Sequence, residues 1–146
     1  MRWLWAELSQ HRTLFSDFTR GDKESFVNLL TSKDTLWLTV KDDNDQPIGV
    51  FYVTNMLNII DMDVHMVFFD RDLETKVELC QAIAKWLFIK WPLSRLTATI
   101  PAIYFRTRKL LLRIGFKLEG TKRKSILIGG RYVDEQIYGL LLEEID

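Results

Sequence analysis

Hydrophobic and polar positions change their period several times along the chain. From residue 35 to residue 69, apolar residues come in short runs rich in Val, Phe, Tyr and Ile. The polar segment DDNDQP separates the first two runs, and Asn58 precedes the third. Such runs between turn-forming residues are typical of β-strands. The pattern therefore predicts a hairpin over residues 35–54, followed by a third strand over residues 59–69.

A helical period replaces the strand pattern over residues 73–91, where the apolar residues fall on one stripe. Pro92 ends this helix, because proline lacks a backbone N–H and restricts the residue before it. A second helical segment covers about residues 103–114. It is followed by Gly115, the residue type that favours the left-handed backbone of a helix C-terminal cap. Both segments are thus predicted as helices with defined ends.

The remaining segments complete the order of elements. Residues 3–18 are predicted as a helix, alone or with an irregular lead, and Asp22 as the cap of a short second helix. Residues 96–100, 117–128 and 136–143 are predicted as strands. The order is then two helices, three strands, a helix, a strand, a helix and two strands. A mostly antiparallel sheet covered by helices accommodates this order, which is an α/β (α+β) architecture.

The composition fits a single soluble domain spanning residues 1–146. Twenty basic residues balance twenty acidic ones, so the net charge favours neither nucleic acid nor a membrane as a partner. The longest apolar-rich window, residues 82–91, contains two lysines and is too short to span a bilayer. We expect no signal peptide at the start of the chain. Cys80 is the single cysteine, which excludes an internal disulfide and fits a reducing, cytoplasmic location.

The C-terminal half carries a family resemblance. The stretch IGFKLEGTKRKSILIGGRYVDEQIYGLLLEE resembles the closing signature of the GCN5-related N-acetyltransferases (GNAT), especially their ribosomal-protein and spermidine acetyltransferase-like branch. The residues that carry the resemblance are spaced as in that branch: Glu78, Phe88, Arg95, Gly115, Phe116, Glu119, Gly120, Arg123, Gly130, Asp134, Tyr138 and Glu144. The resemblance implies the GNAT fold, with a mostly antiparallel central sheet of six to seven strands flanked by about four helices.

The same resemblance implies acyl transfer from acetyl-coenzyme A (acetyl-CoA) to an amine of a small molecule or a protein. Backbone groups of the third strand would align the thioester, and basic and hydroxyl side chains would contact the rest of the co-substrate. The residues implied are Val67, Phe68, Phe69, Arg71, Lys76 and Thr107. Assembly into a homo-oligomer is a further expectation.

The loop expected to hold phosphate departs from the family pattern, Arg/Gln-x-x-Gly-x-Gly/Ala. Arg71 stands near the basic position, but Asp72, Glu74 and Lys76 occupy positions where glycine or alanine is usual. Open backbone amides at a helix start favour an anion, whereas carboxylates there repel it. Asp72 and Glu74 can alternatively stabilise the helix start themselves through its dipole. The loop is therefore a degenerate version of the family's loop.

Candidate bases lie on the third strand, where alternation places Asp61, Asp63 and His65 on one face. The resemblance nominates His65 or Asp63 as the base that takes the proton of the amine. The alternatives are a solvent-exposed face, or a polar cluster whose members are paired. A metal site built from these three residues has little support, because i, i+2 spacing alone does not define one.

Many members of the family use a tyrosine as general acid, and the resemblance implies that this tyrosine would fall at Leu111, which has no proton to give. At the start of the helix predicted over residues 103–114, Tyr104 stands where the family often has an asparagine. Tyr104 or Tyr138 can act as the acid instead, because a phenol can protonate a leaving thiolate. Tyr104 can alternatively pack its ring and hydrogen-bond its hydroxyl.

Residues 106–124 hold eight basic residues against one acidic residue, Glu119. Such a band can face solvent, the 3′-phosphate of a nucleotide or an acidic protein; nucleic acid is a poorer match without interleaved aromatics. Two functions stay open. One is a cytoplasmic acetyltransferase with an altered loop. The other is a non-catalytic GNAT-fold protein for binding or assembly, such as a bacteriophage virion component, in which Trp3 and Trp5 serve a protein interface.

Overall fold

The structure is a computed structural model that describes residues 2–10, 22–70 and 72–145. Its helices are α1 (Arg2–Leu8), α2 (Lys23–Thr31), α3 (Val77–Lys90) and α4 (Phe105–Ile114). Its strands are β1 (Leu36–Lys41), β2 (Pro47–Thr54), β3 (Asp61–Phe68), β4 (Arg95–Pro101), β5 (Lys117–Ile128) and β6 (Arg131–Leu141). Short 3-10 turns precede α3 (Glu74–Lys76) and follow β6 (Leu142–Glu144). The order of elements predicted from the sequence pattern is confirmed.

The six strands form one sheet in the order β1-β2-β3-β4-β6-β5. Neighbouring strands are antiparallel, except that β3 and β4 run parallel. Parallel neighbours need a crossover connection, and α3 supplies it. The predicted α/β architecture, a mostly antiparallel sheet with four helices, is confirmed.

The parallel pair separates soon after it begins. Residues 61–63 of β3 pair with residues 95–97 of β4. Residues 64–68 and 98–101 extend the two strands but do not pair with each other. A gap therefore opens in the middle of the sheet, with strand edges on both sides of it.

Helices cover both faces of the sheet. On one face α3 and α4 enclose the larger core, whose fully buried members include Val53, Met62, Leu87, Leu111 and Leu140. On the other face α1 and α2 pack through a smaller cluster, made of Leu4, Leu8, Phe26, Val50 and Val67. Burying a side chain of this size stabilises a fold by about 1.5–3 kcal/mol. The two clusters thus fix the helices on the sheet around the gap.

Two predicted helix ends are found where the sequence placed them. The Asp22 carboxylate accepts a hydrogen bond from the Ser25 N–H at 2.8 Å and caps α2. Gly115 follows α4 with φ of 122°, a conformation that a side chain would strain. The helix predicted over residues 3–18 is helical to Leu8, and its residues 11–18 lie outside the described residues.

Two boundaries differ from the prediction. The predicted helix 73–91 starts as a 3-10 turn and becomes α-helical only at Val77. The last strand starts at Arg131 rather than residue 136, because Gly129 and Gly130 both adopt positive φ and make a tight hairpin with β5. Among the described residues, no helix has the length and apolar character needed to cross a bilayer.

Candidate functional site

A cleft of about 560 Å³ lies at the gap between β3 and β4, between the end of β3 and the start of α4. Its walls include Met66, Val67 and Phe68 from β3, and Tyr104, Thr107 and Leu110 at or within α4. The cleft thus brings together four residues that the sequence singled out, Val67, Phe68, Tyr104 and Thr107. These residues lie far apart in the sequence, and the β3–α3–β4–α4 topology brings them to the same cleft.

The edge of β3 that faces the gap follows from its pairing with β2. The Phe69 N–H donates to the Ile48 carbonyl at 2.9 Å, in the same register as the rest of the β2–β3 pair. Hydrogen-bonded and non-hydrogen-bonded pairs alternate along an antiparallel ladder. The backbone of Val67 therefore also faces β2, and the backbone groups of Met66 and Phe68 face the gap.

This alternation corrects part of the expectation that Val67, Phe68 and Phe69 align a thioester through their backbones. The amide of Phe69 is used by β2, and Val67 shares its orientation. The backbone groups of Phe68 face the gap, and so do those of Met66. The sequence prediction missed Met66 because strand alternation alone does not say which edge of a strand is unpaired.

The start of α3 is not capped by its acidic neighbours. No side chain makes a capping hydrogen bond either at the 3-10 turn or at the start of α3. Glu74 lies in the first turn of the 3-10 segment, so its interpretation as a residue that stabilises the helix start through the dipole stays a prediction. Glu74 accepts hydrogen bonds from Lys109 and Arg113 of α4, at 3.2 and 2.9 Å. Glu74 thus pairs with two cations of another helix.

The basic residues expected near the phosphates have different surroundings. The Lys76 ammonium pairs with the Asp70 carboxylate at 3.0 Å, and its side chain is only 11% exposed. It also lies 5.8 Å from the centre of the Phe68 ring. Lys76 therefore stabilises the loop next to the cleft. Arg71 lies outside the described residues.

A second pocket of about 360 Å³ continues the cleft along α4. Both pockets share Leu73, Phe105 and Arg106 among their lining residues. The second one adds Glu74, Lys109 and Arg113. The basic residues of the segment 106–124 do not form one band, because Arg108 turns toward Gln136 and Lys117 pairs with Glu144.

On the opposite face of the sheet, Asp61 belongs to a paired polar cluster. Its carboxylate accepts a hydrogen bond from the Thr97 hydroxyl at 2.7 Å and lies 3.4 Å from the Arg95 guanidinium. Arg95 also donates to Glu119 at 2.7 Å. The alternative of a paired cluster, rather than a catalytic group, therefore describes Asp61.

Asp63 is half-buried on the same face, at the last pair before β3 and β4 separate. Burial raises the pKa of its carboxyl above the usual value, and the nearby charge of Asp61 adds to the effect. The positive charges of Lys122 and Arg95 oppose it. A carboxyl with a raised pKa holds a proton more readily than an ordinary aspartate.

His65 has the surroundings of a packing residue. Its ring stacks on Tyr52 with a centroid distance of 4.5 Å, and Tyr52 stacks in turn on Trp37 at 4.2 Å. The His65 Nε2 lies 3.0 Å from the Thr54 hydroxyl. Burial lowers the pKa of the imidazole to about 4, so the ring is neutral at pH 7 and a weak base. These contacts place His65 in a ladder of rings across three strands.

The three positions considered for the general acid differ in their burial and contacts. Leu111 is fully buried in the core. Tyr138 is buried as well, and its hydroxyl donates to Gln136 at 2.8 Å. Tyr104 is half-buried and lines the cleft, so it is the tyrosine that can meet a ligand. In the described part of the chain, no group of three or more His, Cys, Asp or Glu side chains can hold a metal ion.

The sequence interpretation included the cations of α4 in the basic segment 106–124 but did not recognise that three of them share one helix face and line the second pocket. Arg106, Lys109 and Arg113 follow one another at i, i+3 and i+7, the spacing of one helix face. That spacing is visible in the sequence. The pairing of Lys109 and Arg113 with Glu74 is not visible in the sequence, because Glu74 lies more than 30 residues away.

A sheet whose single parallel pair separates over a cleft, with two helices on each face, has the fold of the GNAT acetyltransferases. The comparisons with solved structures agree. A spermidine N-acetyltransferase SpeG from Vibrio cholerae, in complex with CoA and spermine, matches with a TM-score of 0.82 and 16% identity, over 99% of this chain and 90% of that one.

Two other solved structures give the same result. A chimera of SpeG from Vibrio cholerae and hSSAT matches with a TM-score of 0.83 and 14% identity, over 99% of this chain and 92% of that one. A GNAT-family acetyltransferase from Bacillus anthracis matches with a TM-score of 0.71 and 21% identity, over 96% and 90%. No protein-family model and no curated protein matches the sequence. The resemblance to the spermidine acetyltransferase-like branch of GNAT is thus confirmed at the level of the fold.

Proposed function

We propose that this protein binds acetyl-CoA in the cleft beside β3 and transfers the acetyl group to an amine. The observation that carries the proposal is the gap between β3 and β4. Its edges are backbone groups of Met66 and Phe68 that no neighbouring strand uses. Unpaired backbone groups at a strand edge recruit an extended, amide-bearing ligand in the manner of an added strand. The pantetheine arm of CoA is such a ligand.

The same edge supplies a site for the developing negative charge. As an amine attacks a thioester, the carbonyl oxygen becomes an oxyanion, and fixed N–H donors stabilise it. The amides of Met66 and Phe68 face the gap where that oxygen would lie. Because they belong to a paired strand, their direction is fixed before the ligand arrives.

Asp63 is the proposed base for an amine that reaches the gap from the face of the sheet opposite the cleft, since Asp63 lies at the last pair before the gap opens. In the reaction the amine nitrogen attacks the thioester carbon, a C–N bond forms and the C–S bond breaks. A protonated amine first gives a proton to Asp63, directly or through water, and that proton leaves to solvent. The raised pKa of Asp63 suits this role better than the neutral, weakly basic ring of His65.

Tyr104 is the proposed acid. Its phenol gives a proton to the leaving thiolate of CoA and regains one from the nitrogen of the tetrahedral intermediate, so the protons balance. Its position at the start of α4, among the lining residues of the cleft, supports this assignment. Thr107, on the same wall, is proposed to contact the pantetheine arm.

The comparisons support the co-substrate. One matched structure contains CoA and spermine. Arg71 stays proposed as a phosphate contact, whereas Lys76 is proposed to act through the Asp70 ion pair that holds the loop. A cytoplasmic location and a homo-oligomer stay predictions. The matched structures give no support to the virion alternative.

Calorimetric titration with acetyl-CoA, followed by mass spectrometry of a panel of amines that includes spermidine, tests the proposal. We expect saturable binding and acetylation of at least one amine. Asp63→Asn should keep binding and lose about 10²–10⁴-fold in turnover, the usual worth of a general base. The matched control is Asp43→Asn, in the exposed β1–β2 turn. Absence of binding at millimolar acetyl-CoA would show the proposal to be wrong.

A further inference from the structure

The outward face of α3 carries apolar side chains that the core of the protein does not use. The inward face packs four buried residues into the larger core: Cys80, Ala84, Leu87 and Phe88. On the outward face, Ile89 is 84% exposed and Trp86 is 40% exposed. Large apolar side chains that share one exposed face mark a candidate interaction surface. The outward face of α3 is such a surface.

Trp86 is held in a fixed orientation on this face. Its ring meets the ring of Trp91 edge to face, with a centroid distance of 5.4 Å and an interplanar angle of 85°. Trp91 follows the last residue of α3 and packs, partly buried, against the larger core. A ring whose orientation is already fixed loses little freedom when a partner covers it, and tryptophan is enriched at protein interfaces. Trp86 is thus suited to be the anchor of a protein contact.

Charges of opposite sign mark the two ends of the face. Glu78 is exposed in the first turn of α3, and Lys90 is exposed in its last turn, while Lys85 lies at the rim between them. Within residues 2–10, 22–70 and 72–145, none of these three side chains makes an ion pair. An antiparallel copy of the same helix sets acid against base, whereas a parallel copy sets like charges together. The charges therefore favour an antiparallel second copy.

One two-fold axis satisfies both the charges and the apolar residues. Glu78 and Lys90 lie six positions on either side of Ala84, and Ala82 and Trp86 lie two positions on either side of it. In a two-fold contact, residue i meets residue j of the partner, and residue j meets residue i. An axis beside Ala84 places Glu78 against the partner's Lys90. It also places the Trp86 ring over the partner's Ala82, whose small side chain leaves a groove for it.

We propose that this protein forms a two-fold dimer in which α3 packs antiparallel on α3 of a second copy. Ile89 then covers the partner's Leu79, because both lie five positions from Ala84 and Leu79 is partly exposed. The contact has apolar residues at its centre and ion pairs at its rim, the usual arrangement of an interface. None of its residues lines the cleft beside β3, so the dimer does not depend on the proposed function.

Sedimentation equilibrium of the full chain, from micromolar to near-millimolar concentration, tests the proposal. We expect a reversible equilibrium between monomer and dimer. Trp86→Ala removes the central ring and should raise the dissociation constant of the dimer by about tenfold or more, as loss of a central aromatic anchor does. Ile89→Lys should also weaken the dimer. Leu57→Lys is the matched control, since Leu57 is 80% exposed in the loop between β2 and β3, and it should dimerise as the wild type does.

A charge exchange tests the antiparallel arrangement itself. Glu78→Lys and Lys90→Glu each set like charges against each other across the axis, and each should weaken the dimer. The effect should be modest, because exposed ion pairs are individually weak. The double variant restores opposite charges and should dimerise more tightly than either single variant. A role of these residues within one chain would not produce that recovery.

A chain that stays monomeric at near-millimolar concentration would overturn the proposal. A dimer weakened by Leu57→Lys and not by Trp86→Ala would also overturn it, and so would a double charge variant no tighter than the single ones. Binding of the monomer to anionic lipid vesicles, lost in Ile89→Lys, would assign the face to a membrane instead. The melting temperature of each variant verifies folding, and Ile89→Lys replaces Trp86→Ala if the latter does not fold.

Discussion

Gly49 of β2 is the position where the packing of the sheet can be tested most sharply. A Cβ atom at Gly49 would lie 2.7 Å from the Val67 carbonyl oxygen and 2.8 Å from the Phe68 ring. The ring can turn, but the carbonyl oxygen belongs to the backbone of a paired strand and cannot move away alone. Gly49→Ala must therefore push β2 and β3 apart at the end of β3 that lines the cleft.

The expected cost follows from these contacts. Overpacking a tight site costs about 1–3 kcal/mol in the free energy of unfolding. For a chain of this size, 1 kcal/mol lowers the melting temperature by about 2–4 °C. We therefore expect a decrease of roughly 2–12 °C. Because Phe68 and Met66 are displaced with the strand, the affinity for acetyl-CoA should fall in the same variant.

Urea denaturation followed by tryptophan fluorescence measures the change. The control is Gly120→Ala in β5, where an added Cβ meets no atom within 4 Å and φ is not positive. This variant should change the free energy of unfolding by less than about 0.5 kcal/mol, as exposed substitutions usually do. Equal stability of the two variants would refute the close approach of β2 and β3 described here.

Three further predictions concern single side chains. The pKa of His65 falls from 6.5 to about 4 on folding, so its neutral ring contributes stability above pH 6.5 that is lost as the pH falls toward 4. Between pH 7.5 and pH 5 the loss should be about 2 kcal/mol, and a His65→Asn variant with an unchanged pH slope in urea titrations would contradict it. Cys80 is buried, and burial raises its thiol pKa to about 12, so Ellman's reagent should react with it only after unfolding; rapid reaction of the native protein would disprove this. Asp22→Ala should lower the melting temperature at pH 7 and progressively less as the pH is lowered through the acidic range, because the pKa of the capping carboxylate is lowered and its stabilisation is lost as the pH falls through that folded-state pKa; a decrease that does not change with pH would exclude a charge-dependent cap.

Local sequence rules predicted the elements well because most of their signals are local. Pro92 and Gly115 mark the ends of two helices, and Asp22 marks the start of another. The alternation of polar and apolar residues in β3 correctly predicted a strand with Asp61, Asp63 and His65 at alternate positions. These features depend on backbone geometry within a few residues.

The site was harder to predict because its contacts are long-range. Glu74 is an acidic residue near the start of a helix, which is favourable there by itself, but it pairs with Lys109 and Arg113 of another helix. Histidine is a residue type common among catalytic bases, but the register of β2 and β3 stacks the ring of His65 on that of Tyr52. The gap beside β3 depends on where β4 leaves the sheet, which no local pattern encodes.

The most direct test of the account is a titration of ¹⁵N-labelled protein with acetyl-CoA, followed by the backbone amide resonances of β3. If the gap binds the thioester, the amides of Met66 and Phe68 should shift most, and the amide of Phe69, which donates to Ile48, should shift less. Unchanged spectra at millimolar acetyl-CoA, or shifts larger at Phe69 than at Met66 and Phe68, would contradict the account.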